Sequence, residues 1–200
     1  ALEGAAVQVV LVDRVNHHLF QPLLYQVATA ALSPADIAWP LRTLFRGQQN
    51  IRITLGEVTK IDRAARCVLL SETAPIPYDR LILAPGAFAL HPPIAGLDSP
   101  RVHTLRTVAD AVTLRQMVED GAKKAVVLGA GFIGVEAAEA FHRQGLEVDI
   151  VEFAAHLLPP LENEIAAPVT AELRRMGITV NTGIAAQSIE HDAGRRDTVV

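Results

Sequence analysis

The order of apolar and polar positions divides the chain into short extended runs and longer amphipathic stretches. Residues 7–12, apolar but for Gln8, form a run closed by Asp13 that reads as a buried strand, and residues 1–6 before it read as the tail of a helix. Residues 16–31 are apolar without a clean period. Ser33, Pro34 and Asp36 then supply an N-cap, a proline in the first turn and a capping acid, so a short helix is predicted there. Pro40 disturbs it within two turns, which predicts a break or a restart before residues 41–45. Residues 51–55, 57–61 and 67–70 read as short strands of an antiparallel flap. A further apolar strand is expected over residues 81–84, stopped by Pro85 and Gly86.

The proline-rich segment 91–100 reads as a connection, with a domain boundary near residues 99–107. Thr107 and Asp110 are spaced as a capping box for a helix ending near Gly121. Residues 124–128 are then a strand running into a glycine-rich turn. Helix, strand, helix and strand follow, with Pro159 and Pro160 interrupting the chain after a strand over residues 148–151.

Composition narrows the partners. Half of the 200 residues are hydrophobic but only 4% are aromatic, which suits buried parallel strands under helices better than a surface that stacks bases. The net charge of −4 is spread along the chain with no Lys/Arg block, so nucleic acid is not an expected partner. Cys67 is the only cysteine; a disulfide framework and a CxxC redox pair are both excluded, and a reducing, cytoplasmic address is expected. No apolar run is long enough to cross a bilayer, the first residues lack the order of a signal peptide, and no metal site is expected. His17 and His18 are adjacent and therefore point to opposite faces, which makes them poor joint ligands.

The chemistry is concentrated in residues 126–140, where GxGxxG directly follows a strand and opens a helix. Gly129 permits the tight turn, Gly131 removes a side chain that would block a diphosphate, and Gly134 lets the helix pack closely on the strand. Phe132 and Ile133 lie between them, where the unsatisfied N–H groups of a helix start face an anion. The next strand ends in Glu152, about 20 residues past the turn, where an acid accepts hydrogen bonds from an adenosine ribose. That carboxylate repels a 2′-phosphate, and Phe153, Ala154 and Ala155 supply no cation to hold one, so NADH is favoured over NADPH. The fold class expected is therefore α/β, with two Rossmann-like halves, both truncated, and a small antiparallel flap. The first half, residues 1–105, lacks an initial strand with its own glycine turn; the second, 106–200, is cut short at its C-terminal end.

The stretch from Asn16 through Phe20, Tyr25 and Ala31 to Ala38 closely resembles type II NADH:quinone oxidoreductases, and the likeness continues through residues 55–59 and 78–84. From about Pro92 the chain is more similar to soluble NADH-dependent ferredoxin and rubredoxin reductases, through residues 101–107 and 131–136. Both belong to the two-dinucleotide-fold flavoprotein superfamily. The resemblance implies FAD and NADH as cofactors, hydride transfer from nicotinamide to flavin, and a quinone as acceptor, with a ferredoxin or rubredoxin as the alternative. It places Asp13 and Arg14 by the FAD adenosine, Val58 at the adenine through its backbone, and Ala84 and Gly86 in a flavin-contacting turn. Pro85 departs from the threonine usual before that glycine and removes a backbone donor. Glu136 matches a glutamate near the nicotinamide–flavin contact and is the candidate catalytic residue; otherwise it is an acid in the first helical turn favoured by the dipole. The superfamily's thiol–disulfide enzymes carry a reactive cysteine in the region matching residues 16–38, and none occurs here. Peripheral membrane association on the cytoplasmic face and a homodimer are compatible with the quinone reading. A non-catalytic NADH-binding module is the reading of another class.

Overall fold

The computed structural model describes residues 5–192 and 197–200. Of the helix tail expected at residues 1–6, the first four lie outside the described residues, and Ala5 and Ala6 are not helical. The chain divides into two compact units. One holds the residues up to Leu19 together with Ala35–Ala87, and the other holds Phe20–Pro34 together with Phe88–Val200.

In the first unit, β1 (Val9–Asp13) and β2 (His17–Leu19) precede the division. The second unit then takes in a 3-10 turn (Gln21–Leu23) and α1 (Leu24–Ala28). The expected short helix begins in the first turn after Ser33 as α2 (Pro34–Ile37), gives way to β3 (Ala38–Pro40), and restarts as α3 (Leu41–Leu44). Proline at position 40 lacks the N–H a continuing helix needs, so the break falls where the sequence predicts it. β2 and β3 pair antiparallel, and His17 is half-buried while His18 is exposed, as opposite faces require.

β4 (Ile51–Leu55) corrects one expectation. It is not part of the flap; it pairs parallel with β1, Val9 against Ile51 through Asp13 against Leu55. Alternating polarity reports which face of a strand is buried, not which strand lies beside it. The flap itself is β5 (Val58–Asp62), β6 (Cys67–Leu70) and β7 (Ile76–Pro77), all antiparallel. Val68, Leu70 and Ile76 form its buried cluster, with Val10 and Val12 of β1 packed against it. Cys67 is a free, half-buried thiol in β6.

The strand expected at residues 81–84 is also corrected. The segment has no ladder partner among the described residues, and Ile82 and Leu83 are exposed. Apolar character is enough to suggest a strand, but a strand exists only where another supplies its hydrogen bonds.

The second unit carries the larger core. α4 (Val108–Glu119) starts on the expected capping box: Thr107 accepts from the Asp110 amide at 3.2 Å, and Asp110 accepts from the Thr107 amide at 2.8 Å. β8 (Lys124–Leu128), α5 (Phe132–Arg143), β9 (Glu147–Glu152), α6 (Asn163–Met176) and β10 (Thr179–Thr182) then alternate. The sheet order is β10-β9-β8, all parallel. Val148 and Ile150 of β9 are fully buried beside Ala138, Phe141, Leu173 and Ile178. α1 joins this core through Tyr25, and Gln144 donates to the Thr29 carbonyl at 2.7 Å. The antiparallel pair β11 (Ile189–His191) and β12 (Asp197–Val199) completes the unit.

Candidate dinucleotide-binding site

The glycine turn joins β8 to α5. Gly129 adopts φ +97°, the left-handed conformation that favours glycine, and its N–H donates to the Val151 carbonyl at 2.8 Å, anchoring the turn to β9. A Cβ at Gly131 would meet nothing within 4 Å, whereas one at Gly134 would collide with the Gly129 carbonyl oxygen. The two glycines therefore serve different ends: Gly131 keeps the approach open, and Gly134 permits close packing. Gly129, Gly131, Phe132, Ile133, Val151 and Ile184 line one open cleft of the second unit. α5 presents its first-turn N–H groups there, and these have no intrahelical partner.

Glu152 is only 8% exposed. One carboxylate oxygen accepts from the Ala130 amide at 2.6 Å, and the other from the Ala154 amide at 2.7 Å. Ala130 is the residue between the first two glycines and is fully buried. Its carbonyl accepts from the Leu158 N–H at 2.8 Å, so the turn is held through both backbone polar groups of one residue. Leu158 adopts φ +51° and is 6% exposed. A leucine in that conformation costs about 1–2 kcal/mol, and its position before Pro159 restricts it further. Burial and the bond to Ala130 offset the strain. Each Glu152 oxygen has a second lone-pair direction, so ribose hydroxyls and the turn amides can be bound together.

These contacts extend what the sequence predicts. Gly129, Gly131, Phe132, Ile133, Gly134 and Glu152 converge on one turn. The parts played by Ala130, Ala154 and Leu158 have no sequence signature; the only signal near Leu158 is the Pro159–Pro160 pair, which marks a break without giving its handedness. Glu136 needs a correction: α5 begins at Phe132, so Glu136 is its fifth residue, beyond the first turn, and exposed. The local dipole is weak there and does not account for the acid.

In the first unit, Asp13 ends β1, and its carboxylate accepts from the Val15 amide at 3.0 Å. Its carbonyl accepts from the Gly56 N–H at 2.9 Å, which brings the end of β4 and the approach to Val58 beside it. Arg14 and Val58 are exposed. This cluster fits the adenosine end of a second dinucleotide. Ala84 and Gly86 lie in an exposed segment outside any helix or strand, where Gly86 adopts φ +74°. No group of His, Cys, Asp and Glu suited to a metal ion occurs among the described residues.

A parallel sheet of order β10-β9-β8, a glycine turn at a helix start and an acid at the next strand tip define an FAD/NAD(P)-binding Rossmann-type α/β protein. Residues 1–200 match the family described as pyridine nucleotide-disulphide oxidoreductase, and the chain belongs to that family. It is 32% identical to the type II NADH:quinone oxidoreductase Ndh of Mycobacterium tuberculosis, covering 96% of this chain and 48% of that relative. It is 37% identical to the ferredoxin–NAD(+) reductase component of the biphenyl dioxygenase system of Paraburkholderia xenovorans, over 70% of this chain and 35% of that protein. Among solved structures, a ferredoxin reductase of Rhodopseudomonas palustris superposes with a TM-score of 0.86 at 31% identity, over 96% of this chain and 48% of that one. The chain thus spans about half the length of the Mycobacterium relative and of the Rhodopseudomonas structure, and about a third of the Paraburkholderia protein.

Proposed function

We propose that this chain is part of an FAD-dependent oxidoreductase that takes hydride from NADH and passes electrons to a quinone. The observation that carries the NADH half is the glycine turn itself: an open approach at Gly131, outward amides at Phe132 and Ile133, and Glu152 fixed on the Ala130 amide. Diphosphate binds to the amides, and the adenosine ribose to Glu152. A 2′-phosphate would meet that carboxylate with no cation at residues 153–155, so NADH is selected over NADPH.

Asp13, Arg14 and Val58 hold the adenosine end of FAD in this reading, with Ala84 and Gly86 in the turn that contacts the flavin. FAD, when bound, supplies the two-electron acceptor. The protein's part is to hold the donor ring at near-attack distance and exclude water. Glu136, exposed two residues past Gly134 in α5, takes a positioning or electrostatic role toward the nicotinamide. In this reading FAD is held by the unit that contains Asp13 and Val58, and NADH by the unit that contains the glycine turn.

Quinone is favoured as acceptor because the likeness to the type II NADH:quinone oxidoreductase extends over 96% of this chain, and the segment Asn16 to Ala38 carries it in sequence. A lipid-soluble acceptor brings the enzyme to the cytoplasmic surface of a membrane; no helix among the described residues is long and apolar enough to cross one. The likeness to ferredoxin reductases, in sequence and at a TM-score of 0.86, supports a second reading with a small iron–sulfur protein as acceptor. The test is spectroscopic and then kinetic. The protein should carry a flavin absorbance that NADH bleaches without oxygen and that a soluble quinone restores faster than ferredoxin does. A flavin restored only by ferredoxin selects the second reading, and a protein with no NADH-driven bleaching contradicts both.

A further inference from the structure

Gripping the adenosine ribose at Glu152 fixes where the base must lie: one glycosidic bond further out, beyond the tip of β9. The first side chain past that tip is Phe153, which is 80% exposed. Its backbone is nonetheless held firmly. Ala154, next along, donates its N–H to Glu152 and accepts from the Gly183 N–H at 2.7 Å. On the adjoining strand end, the Ile184 N–H donates to the Glu152 carbonyl at 3.1 Å, and the Ile184 side chain is itself half exposed. Apolar surface therefore flanks the carboxylate from two neighbouring strand ends, and Ala154 and Ala155 leave the space beside Phe153 open to a flat ring.

A single exposed apolar residue is ordinary on any protein surface. This one differs in being an aromatic ring carried on fixed backbone, one residue from a ribose-binding acid, in a chain with few aromatics. Its exposure means that packing does not explain it. A purine has two apolar faces and is held by an aromatic side chain without any matching hydrogen-bond pattern.

We infer that Phe153 is the platform on which the adenine of NADH stacks, and that it sets affinity for the adenosine half of the cofactor without touching the hydride-transfer end. The inference rests on the NADH reading of the glycine turn. It predicts a separation of effects. Phe153→Ala should weaken NADH about tenfold and ADP-ribose, which lacks nicotinamide, to the same extent. Phe153→Leu should lose part of this, and Phe153→Trp should retain it. At saturating NADH, kcat should stay within about twofold of the parent, because the removed contact is the same in the ground and transition states. Circular dichroism checks that each variant is folded, which an exposed position favours.

Titration of the unsubstituted protein comes first: if it binds neither NADH nor ADP-ribose, the glycine-turn reading fails and takes this one with it. If the parent binds both and Phe153→Ala binds them equally well, the platform alone is overturned. It is overturned too if Phe153→Ala weakens NADH but leaves ADP-ribose unchanged, since the contact would then lie at the nicotinamide end.

Discussion

Two strand tips in this molecule carry the same chemistry in very different states. β1 and β9 are both parallel strands that end in an acid, Asp13 and Glu152. Glu152 is buried and accepts from two amides, one of them inside a glycine turn that is clamped again by Leu158. Asp13 is half-exposed and bonds through its side chain to the amide two residues along, while the later segment around Ala84 and Gly86 remains irregular. An acid at a strand end is thus not fixed by the strand alone: the Glu152 carboxylate is held because a glycine turn is bonded to it, whereas the Asp13 carboxylate is bonded only to an amide close by in its own loop.

The contrast can be broken most forcefully at Gly131. A Cβ there would meet nothing within 4 Å, so Gly131→Val should fold with stability changed by less than about 1 kcal/mol while NADH binding falls on the order of a hundredfold. Gly134→Val should do the opposite kind of damage, because its Cβ collides with the Gly129 carbonyl: the thermal midpoint of the protein should drop sharply, by overpacking of about 1–3 kcal/mol or more. Equal stability of these two variants, in thermal melts, would contradict the division of labour between the glycines.

The acids differ more finely. Glu152→Gln replaces one accepting oxygen by a donor, which must then face a buried amide N–H; this should cost about 1–3 kcal/mol of stability even without cofactor. Asp13→Asn keeps an oxygen for the Val15 amide and should change stability by no more than about 0.5 kcal/mol. Chemical denaturation of both variants checks the difference. A result in which they cost the same would mean that Glu152 does not organise the turn.

Much of the second strand tip is legible in the sequence, and much of its surroundings is not. The spacing of Gly129, Gly131, Gly134 and Glu152 locates the turn, and Thr107 with Asp110 marks the start of α4, because both signals are local. The parallel partnership of β4 with β1 is hidden, since polarity along residues 51–55 does not name the neighbouring strand. Residues 81–84 look like a strand for the same reason, but pairing is a property of two segments. The Leu158 clamp is invisible because leucine is not a residue from which a left-handed conformation is inferred; only the buried contacts around it make that conformation tolerable.

The smallest effect concerns acid. Asp197, in β12, is bonded to the Ser99 hydroxyl and to His191 and lies 3.0 Å from Arg101. The Ser99 hydroxyl first, then His191 and Arg101, hold its carboxyl below the ordinary value of 3.8. A depressed carboxyl contributes stability that is present above its unfolded value and lost as the pH falls through the lower folded one. The pairing of β11 with β12 should therefore loosen only below about pH 4, and Ser99→Ala should move that acid limb slightly upward in pH-dependent melts.

Calorimetric titration of NADH into the parent protein and into Gly131→Val tests the central claim most directly. One NADH per chain at the glycine turn of the parent, with that binding lost in a Gly131→Val protein that melts at nearly the same temperature, is the predicted result. Undiminished binding in a folded Gly131→Val protein would contradict it.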